Sequence, residues 1–458
     1  MIRYLIRRVG IAIGILFVLS VMMYGMLDLA LDPLDDLRQS TLKNKEELIA
    51  ARVKMLRLDD PWLARYWDWL KSFLTGDWGE AWRWGQKVNA LLGDAIATSV
   101  QLVFSATIIA ILLGVTVGLI SALRQYTAFD YSITFISFVL YSLPVFWVAV
   151  LLKQFLAIGF NDYLNNPTLN WGASTAVAVV SDLFWAGALG GNRKRKLITF
   201  GSAAVITLAV LWYVVETGWI QHPQIGVIGV SILGAASAFA FTLLFAGLSN
   251  RRALYSALTT AALGVGAYVG VQWLWFYYVT DFKMLVGLFA LALGIGFVTG
   301  IAWGGPDRMV SARGGVLVAL FLSVVTFFDK VMQAWPIYSA QPEVKGRPIA
   351  TIGSVTPGLS GDFWIYTLDR LTHLLLPSIA LVLISFATYT RYQRGSMLEV
   401  LNQDYIRTAR AKGLPERVVI VRHALRNALL PLASIIPVDL LSMVGGAVIT
   451  ETIFGWSG

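Results

Sequence analysis

The chain has 458 residues, 57% hydrophobic and only 14% charged, with 36 Lys and Arg against 27 Asp and Glu for a net charge of +9. A mean hydropathy of +0.68 excludes a soluble globular domain and marks a polytopic membrane protein, because each spanning helix needs ~20 mostly apolar residues. The basic excess fits topology signals on cytoplasmic loops rather than nucleic-acid binding, since the aromatics sit in apolar runs and not among the bases. There is no cysteine, which excludes disulfides and thiol chemistry, and three scattered histidines form no metal-ligand spacing.

The N-terminal "MIRYLIRRVGIAIGILFVLSVMMYGMLDLAL" carries Arg3, Arg7 and Arg8 and then runs apolar from Val9 to Leu31. That run is too long for a signal-peptide core, so 1–31 is read as a retained first transmembrane helix. Residues 32–97 follow as an extracytoplasmic segment of mixed charge containing "DDPWLARYWDWLKSFLTGDWGEAWRWG". Its Trp62, Trp67, Trp69, Trp78, Trp82 and Trp84 suit amphipathic helices at a membrane interface. Trp69, Asp77, Trp78 and Glu80 are its candidate contacts for a partner protein, with simple membrane anchoring as the alternative.

Further runs of spanning length lie at 98–122, 133–158, 173–191, 197–216, 224–248, 254–279, 284–303, 314–334, 371–390 and 431–450, making eleven with the first. With the N-terminus inside, strict alternation puts on one face the loops holding Arg124, then "RKRK" (Arg193 to Lys196), then Arg251 and Arg252, then Arg308 and Arg313, and finally 391–431. Together with the N-terminus these hold more than half of the chain's 36 Lys and Arg, and only the acids Asp130, Asp307, Glu399, Asp404 and Glu416. The middle, 160–370, combines Gly- and Ala-rich helices, expected to pack tightly on each other, with a Pro- and Gly-rich external loop at 335–370. Lys153, Asp182, Glu216, Asp329 and Lys330 lie in or near spans; snorkelling from helix ends is expected, and an ion path is the alternative.

One stretch departs from this pattern: "QDYIRTARAKGLPERVVIVRHALRNALLP", 403–431, is basic and well mixed between two apolar runs. Its "DYIRTARAKG" predicts a helix that stops at Gly413. Pro415 then suits the first turn of a second helix that runs to Pro431. A helix-turn-helix on the cytoplasmic surface, much longer than a topological turn requires, implies a surface that a partner grips.

This stretch resembles the cytoplasmic EAA loop of the membrane permeases of ATP-binding-cassette (ABC) importers, in the variant of the oligopeptide/dipeptide type. Alignment on Gly413 places the generic Glu-Ala-Ala triplet at Arg407, Thr408 and Ala409. Only the last matches, and Leu430-Pro431 lies farther from the glycine than in the generic pattern; both departures are similar to the peptide-importer variant. "RYLIRRVGIAIGILFVLSVMMYGML" resembles the family's first helix, "LRLDDPWLARYWDWLKSFLTGDWGEAW" its external segment, and "SLPVFWVAVLL" its third helix. "HLLLPSIALVLISFATYTRYQRGSMLEVL" is similar to the helix entering the loop, and "GGAVITETIFGWSG" to the stretch after the fifth helix. The six middle helices have no counterpart in the usual permease. The family also carries another helix after the "FGW-G" match, where Ser457 stands in place of the usual proline.

The resemblance implies an all-α polytopic membrane protein of the type I ABC importer permease fold, with about eleven transmembrane helices including a six-helix insertion. Core helices at 98–159 and 371–458 would flank the inserted block and external loop of 160–370, with the coupling loop at 391–431. It implies a multi-pass subunit of a prokaryotic cytoplasmic membrane with its N-terminus inside, forming half of a translocation pathway. Its partners would be a second homologous permease, two ABC ATPases and an extracytoplasmic peptide-binding protein. The coupling helix would present Asp404, Tyr405, Arg407, Thr408, Ala409, Arg410 and Gly413 to the ATPase. The chain binds no cofactor on this reading: it has no G-x-x-x-x-G-K-[ST] loop, so ATP and Mg2+ would sit in the ATPases. The cargo stays open among peptides, nickel chelates and sugars. Two other classes are an ion-coupled secondary transporter, which would favour broken helices and paired acids near the midplane, and a membrane-embedded enzyme, which would cluster His, Asp or Ser at one depth.

Overall fold

The computed structural model describes residues 2–40, 44–81, 85–305 and 308–456, and their side chains except those of 271, 273–277 and 443–447. Trp82, Trp84, Asp307 and Ser457, named above, lie outside the described residues. The chain divides into two compact units, Met1–Ala97 and Thr98–Gly458.

In the first unit, α1 (Ile2–Ala30) buries none of its residues and is apolar on every side from Val9 to Leu27, as a span facing lipid is. After α2 (Asp35–Arg38) and α3 (Lys45–Leu56) comes α4 (Trp62–Leu74). This helix is amphipathic and folds back on the second half of α1. Tyr66 is its buried residue, with its hydroxyl 2.8 Å from Ser20 Oγ and its ring 5.5 Å from that of Tyr24. Arg65 donates to Asp28 at 2.6 Å. Trp62, Leu63, Trp67 and Leu74 stay exposed, so the expected interfacial helix keeps an apolar outer face. A short hairpin, β1 (Glu80–Ala81) with β2 (Gln86–Lys87), closes the segment.

From the first unit α5 (Val88–Leu123) leads into the second, followed by α6 (Ala128–Ser142) and α7 (Val145–Leu152). The run expected as one span at 133–158 is thus broken at Leu143–Pro144. Proline lacks a backbone N–H and drives the residue before it out of the helical region; Leu143 is extended at φ −77°, ψ 129°. A wide π turn, Lys153–Ile158, then leads into α8 (Gly159–Asn165).

Six helices follow: α9 (Trp171–Leu189), α10 (Arg193–Glu216), α11 (Gly226–Phe245), α12 (Arg251–Tyr278), α13 (Phe282–Trp303) and α14 (Arg308–Gln333). Asn170, Asn192, Asn250 and Asp281 start four of them as N-caps, each side chain accepting from a backbone N–H in the first turn. The tight packing expected is present, but in two sets, a pair α9–α10 and a four-helix group α11–α14. Within the group Gly296 and Gly300 of α13 lie directly on Gly315 and Ala312 of α14, a backbone approach that only small residues allow.

The in-span charges do not snorkel as expected. Asp182, Asp329 and Lys330 are buried. Asp329 accepts from Tyr268 OH at 2.6 Å, from Gln333 Nε2 at 2.6 Å and from the backbone N–H of Ile225 at 2.6 Å, while Lys330 Nζ reaches Gln333 Oε1 at 3.2 Å. Lys153 is half-buried and donates to Ile453 O at 2.7 Å. Glu216 is exposed, in keeping with its helix end. Asp329, Lys330 and Lys153, with these internal partners, have no reason to reach for water.

After α15 (Trp335–Ser339) the loop 340–362 is pinned at three points. Asn161 exchanges hydrogen bonds with the backbone of Ile349 at 2.9 and 3.0 Å, Asp369 accepts from Thr356 N and Oγ1 at 2.9 and 2.6 Å, and Gly353 N donates to Phe454 O at 2.8 Å. Then come α16 (Phe363–Leu401), α17 (Asp404–Ala411), α18 (Glu416–Val418), a π segment Val419–Leu425, α19 (Arg426–Ala428) and α20 (Leu430–Phe454). Among the described residues ten helices are long and apolar enough to cross a membrane, or eleven when the pair Glu416–Ala428 and Leu430–Ser442, bent by 41°, counts as one.

Contacts at one end of the second unit gather its basic turns. Arg124, after α5, donates to Leu189 O at the end of α9. Asp130 of α6 binds Arg394 near the end of α16. Arg252 lies on Gly305, and Arg417 on Gly247 in the α11–α12 turn. The loops that alternation assigns to one face therefore share one end of the unit, and the 340–362 loop lies at the other.

Candidate functional site

At that basic end, α17 and the helical segment 416–428 form the expected helix-turn-helix. Gln403 starts α17 in an extended conformation. The helix stops in a Schellman arrangement: Gly413 takes φ +75°, its N–H donates to Arg410 O at 2.9 Å, and Leu414 N donates to Ala409 O at 3.4 Å. The positive φ is the reason for glycine here. Pro415 is the N-cap of α18, one place earlier than the first-turn position expected of it. The second helix reaches Ala428 and bends at Leu429, so it ends short of Pro431.

The inner face of α17 carries Ile406 and Ala409, one turn apart. They pack on Ala122 of α5, Met397 of α16, and Val419, Ala424 and Ala428 of the second helix. Full burial of Ile406 stabilises this seating by roughly 1.5–3 kcal/mol. Ala409, one of the residues expected to face the partner, is instead turned inward. The others, Asp404, Tyr405, Arg407, Thr408, Arg410 and Gly413, are exposed. Asn427 Nδ2 donates to Tyr405 OH at 2.9 Å, tying the two helices. Arg410 binds Glu416 at 2.7 Å across the Gly413 turn; this guanidinium holds the Glu416 carboxyl below its usual range. Arg407 lies 3.5 Å from Asp404, both largely exposed. The surface offered outward is a short, basic helix locked from beneath and polar above.

Sequence reasoning missed the support of this surface. Asp130, 1% exposed, grips Arg394 through two bonds of 2.6 and 2.8 Å and accepts from Ser121 Oγ at 2.5 Å and Tyr126 N at 3.1 Å. The pair clamps the α5–α6 turn to the end of α16 that feeds α17, and Ser396 Oγ holds Ala428 O at 2.9 Å. An acid in an otherwise basic loop was the available signal; its partner, 264 positions away, had none.

In the first unit the four candidate partner contacts come together. Trp69 stacks on Phe73 at 5.3 Å and Phe73 on Trp78 at 5.5 Å, while Asp77 and Glu80 are exposed just beyond. Trp78 N donates to Asn89 Oδ1 at 3.0 Å, fixing this corner.

The chain matches the family model described as binding-protein-dependent transport system inner membrane component over residues 114–458, and that of the N-terminal membrane component of such systems over 1–118. It is 50% identical over 106 residues to the oligopeptide transport system permease protein OppB of Mycobacterium tuberculosis, covering 23% of this chain and 33% of that one. The oligopeptide transport system permease protein AppB of Bacillus subtilis is 51% identical over 100 residues, 22% of this chain and 31% of that one. The dipeptide transport system permease protein DppB of Escherichia coli is 50% identical over 101 residues, 22% and 29%. The chain spans about a third of the length of these curated relatives. With the first model covering well over half of the chain, this protein belongs to the family of binding-protein-dependent transport system inner membrane components.

Proposed function

We propose that this chain is one permease half of an ATP-driven peptide importer in a prokaryotic cytoplasmic membrane, with its N-terminus and basic turns in the cytoplasm. Two such halves enclose the pathway, two ABC ATPases bind ATP and Mg2+ below it, and a binding protein delivers peptide above, meeting the Trp69–Glu80 corner. The chain itself is a transport subunit and leaves hydrolysis to the ATPases. The observation that carries the reading is the helix Asp404–Ala411, seated by Ile406 and Ala409 with its charged face outward. A helix fixed in this way transmits a push from an ATPase cleft to the ends of α5, α16 and α20. ATP acts by binding one conformation of the complex better than the other. The helices α9–α14 make a lateral unit added to the family core, supported by their packing chiefly among themselves.

The test is ATP-dependent uptake of labelled peptide into proteoliposomes holding the chain with its second permease, ATPases and binding protein. Reversing the exposed Arg407 with Arg407→Glu and removing the neighbouring ring with Tyr405→Ala should leave the permease pair assembled and cut both ATPase co-purification and uptake at least about tenfold, the loss of two or more charge-assisted contacts. Wild-type uptake by the double variant, or uptake without ATP, refutes the proposal.

A further inference from the structure

The proposed coupling surface makes no use of α11–α14, and this group holds a cavity of its own. Helices α12, α13 and α14 enclose about 500 Å³, within the ~300–1,000 Å³ of ligand-binding cavities. Its position follows from residue size. Toward the basic end α13 and α14 meet backbone to backbone, with Gly296 and Gly300 on Gly315 and Ala312. Toward the other end the lining residues are larger, Leu288 and Phe289 on α13 with Leu322 and Phe327 on α14, and the cavity lies between them. Thr260 of α12, Ile295 and Ala319 are the lining residues nearest the glycine contact and form the floor.

The wall is hydrocarbon. The Thr260 hydroxyl lies 2.6 Å from that of Thr299 and donates to Ser256 O at 2.9 Å, and Tyr268 OH donates to Asp329 at 2.6 Å, so both are engaged by protein. Leu, Ile, Val, Ala, Phe and Met supply most of the rest. A polar ligand would lose its hydrogen bonds here. Depth narrows the choice further. Ile295 lies 13 residues along α13 from Phe282, ~20 Å at 1.5 Å per residue, and half of a ~40–45 Å bilayer is about the same distance. The cavity therefore runs from headgroup level to the midplane, the reach of one lipid tail. At its rim Phe282, Met284 and Leu291 are exposed, which leaves a lateral way in from the bilayer. Lys283 stands exposed between two of these rim residues, a cation at the level of a lipid phosphate, while Asp281 beside it is engaged as the N-cap of α13.

We propose that this cavity seats one acyl chain of a membrane phospholipid from the leaflet away from the basic turns, the outer one on the orientation proposed above, with the headgroup phosphate on Lys283. Within a bilayer the hydrophobic effect gives no preference for the site, because lipid tails are as apolar as the wall. The preference comes from packing, since wall atoms without neighbours lose dispersion contacts that a seated chain restores, and from the charge pair at the rim. A chain held in this way joins α12 to α13 and α14 where the glycine contact ends.

The experiment places the full chain in phospholipid vesicles containing a phosphatidylglycerol with a diazirine at the end of one acyl chain, and maps the residues labelled on illumination. Thr260, Ile295 and Ala319 should be labelled, and the labelling should saturate as the probe fraction rises. Val205 of α10, 68% exposed, should be labelled in simple proportion to it. Moving the diazirine next to the ester should shift the label from the floor to the Phe282 rim. Ala292→Trp, which fills the cavity from its wall, should abolish floor labelling and leave Val205 unchanged; Ala267→Leu serves in its place if that variant does not fold. Lys283→Glu should lower floor labelling roughly threefold, the loss of one exposed charge contact. An unlabelled floor, floor labelling that follows the probe in proportion as at Val205, or floor labelling that persists in the folded filling variant overturns the proposal. So does a floor labelled by a diazirine fatty acid and not by the phospholipid, or one that loses its label once the partner subunits are assembled, which gives the cavity to a protein segment.

Discussion

Gly413 offers the sharpest test of the helix-turn-helix. It holds φ +75°, and a Cβ placed on it would meet no atom within 4 Å. Substitution therefore carries a backbone penalty and no clash. For an L-residue with a Cβ this conformation costs about 1–2 kcal/mol, the upper part of that range for a β-branched side chain, and asparagine tolerates it better. Gly413→Val should shift the equilibrium between the wound and unwound turn by about 5- to 30-fold, and Gly413→Asn by much less. The turn amides report this directly: hydrogen exchange at Leu414, whose N–H donates to Ala409 O, should accelerate by the same factor in Gly413→Val. Peptide uptake per assembled complex should fall with it, because the turn sets how the helix Asp404–Ala411 is presented. Wild-type exchange and uptake in Gly413→Val would refute the reasoning; equal damage from asparagine and valine would move the cause from backbone strain to lost space for a partner.

Asp130→Ala strands the Arg394 guanidinium and the Ser121 hydroxyl. Because the Arg394 side chain keeps 27% exposure, the loss should lie near the lower end of the range for a broken buried pair, about 3 kcal/mol; a lower melting temperature in detergent measures it, and the double variant with Arg394→Met should recover part of it. The absence of cysteine makes topology readable as well. Single cysteines at Lys194 and Arg252 should react only with a permeant thiol reagent, and one at His222 with an impermeant reagent in intact cells; all three positions are exposed, so external labelling at Lys194 would break the alternation of α9–α14.

The amino-acid sequence by itself determined the membrane class, most of the spans and the helix-turn-helix, because each rests on local physics. A run of apolar residues must form a helix in lipid whatever surrounds it. Basic loops sort by charge, and a glycine after "DYIRTARAK" stops a helix through its own φ freedom. Resemblance through the same stretch supplied the family. The break at Leu143–Pro144 has a local cause too, Pro144 in the run, but hydropathy alone reads 133–158 as one span.

Tertiary structure alone decided which side of each element is used. Ala409 turned inward because Met397, Val419 and Ala428 complete a pocket for it from three other segments. Asp329 and Lys330 stayed buried because Tyr268 and the N-terminus of α11 reach them from helices far away in the chain. Asp130 became a clamp because Arg394 comes to it across 264 positions. Periodicity places a side chain on a face of its own helix; whether that face meets water, lipid or a distant partner depends on contacts that no local pattern encodes.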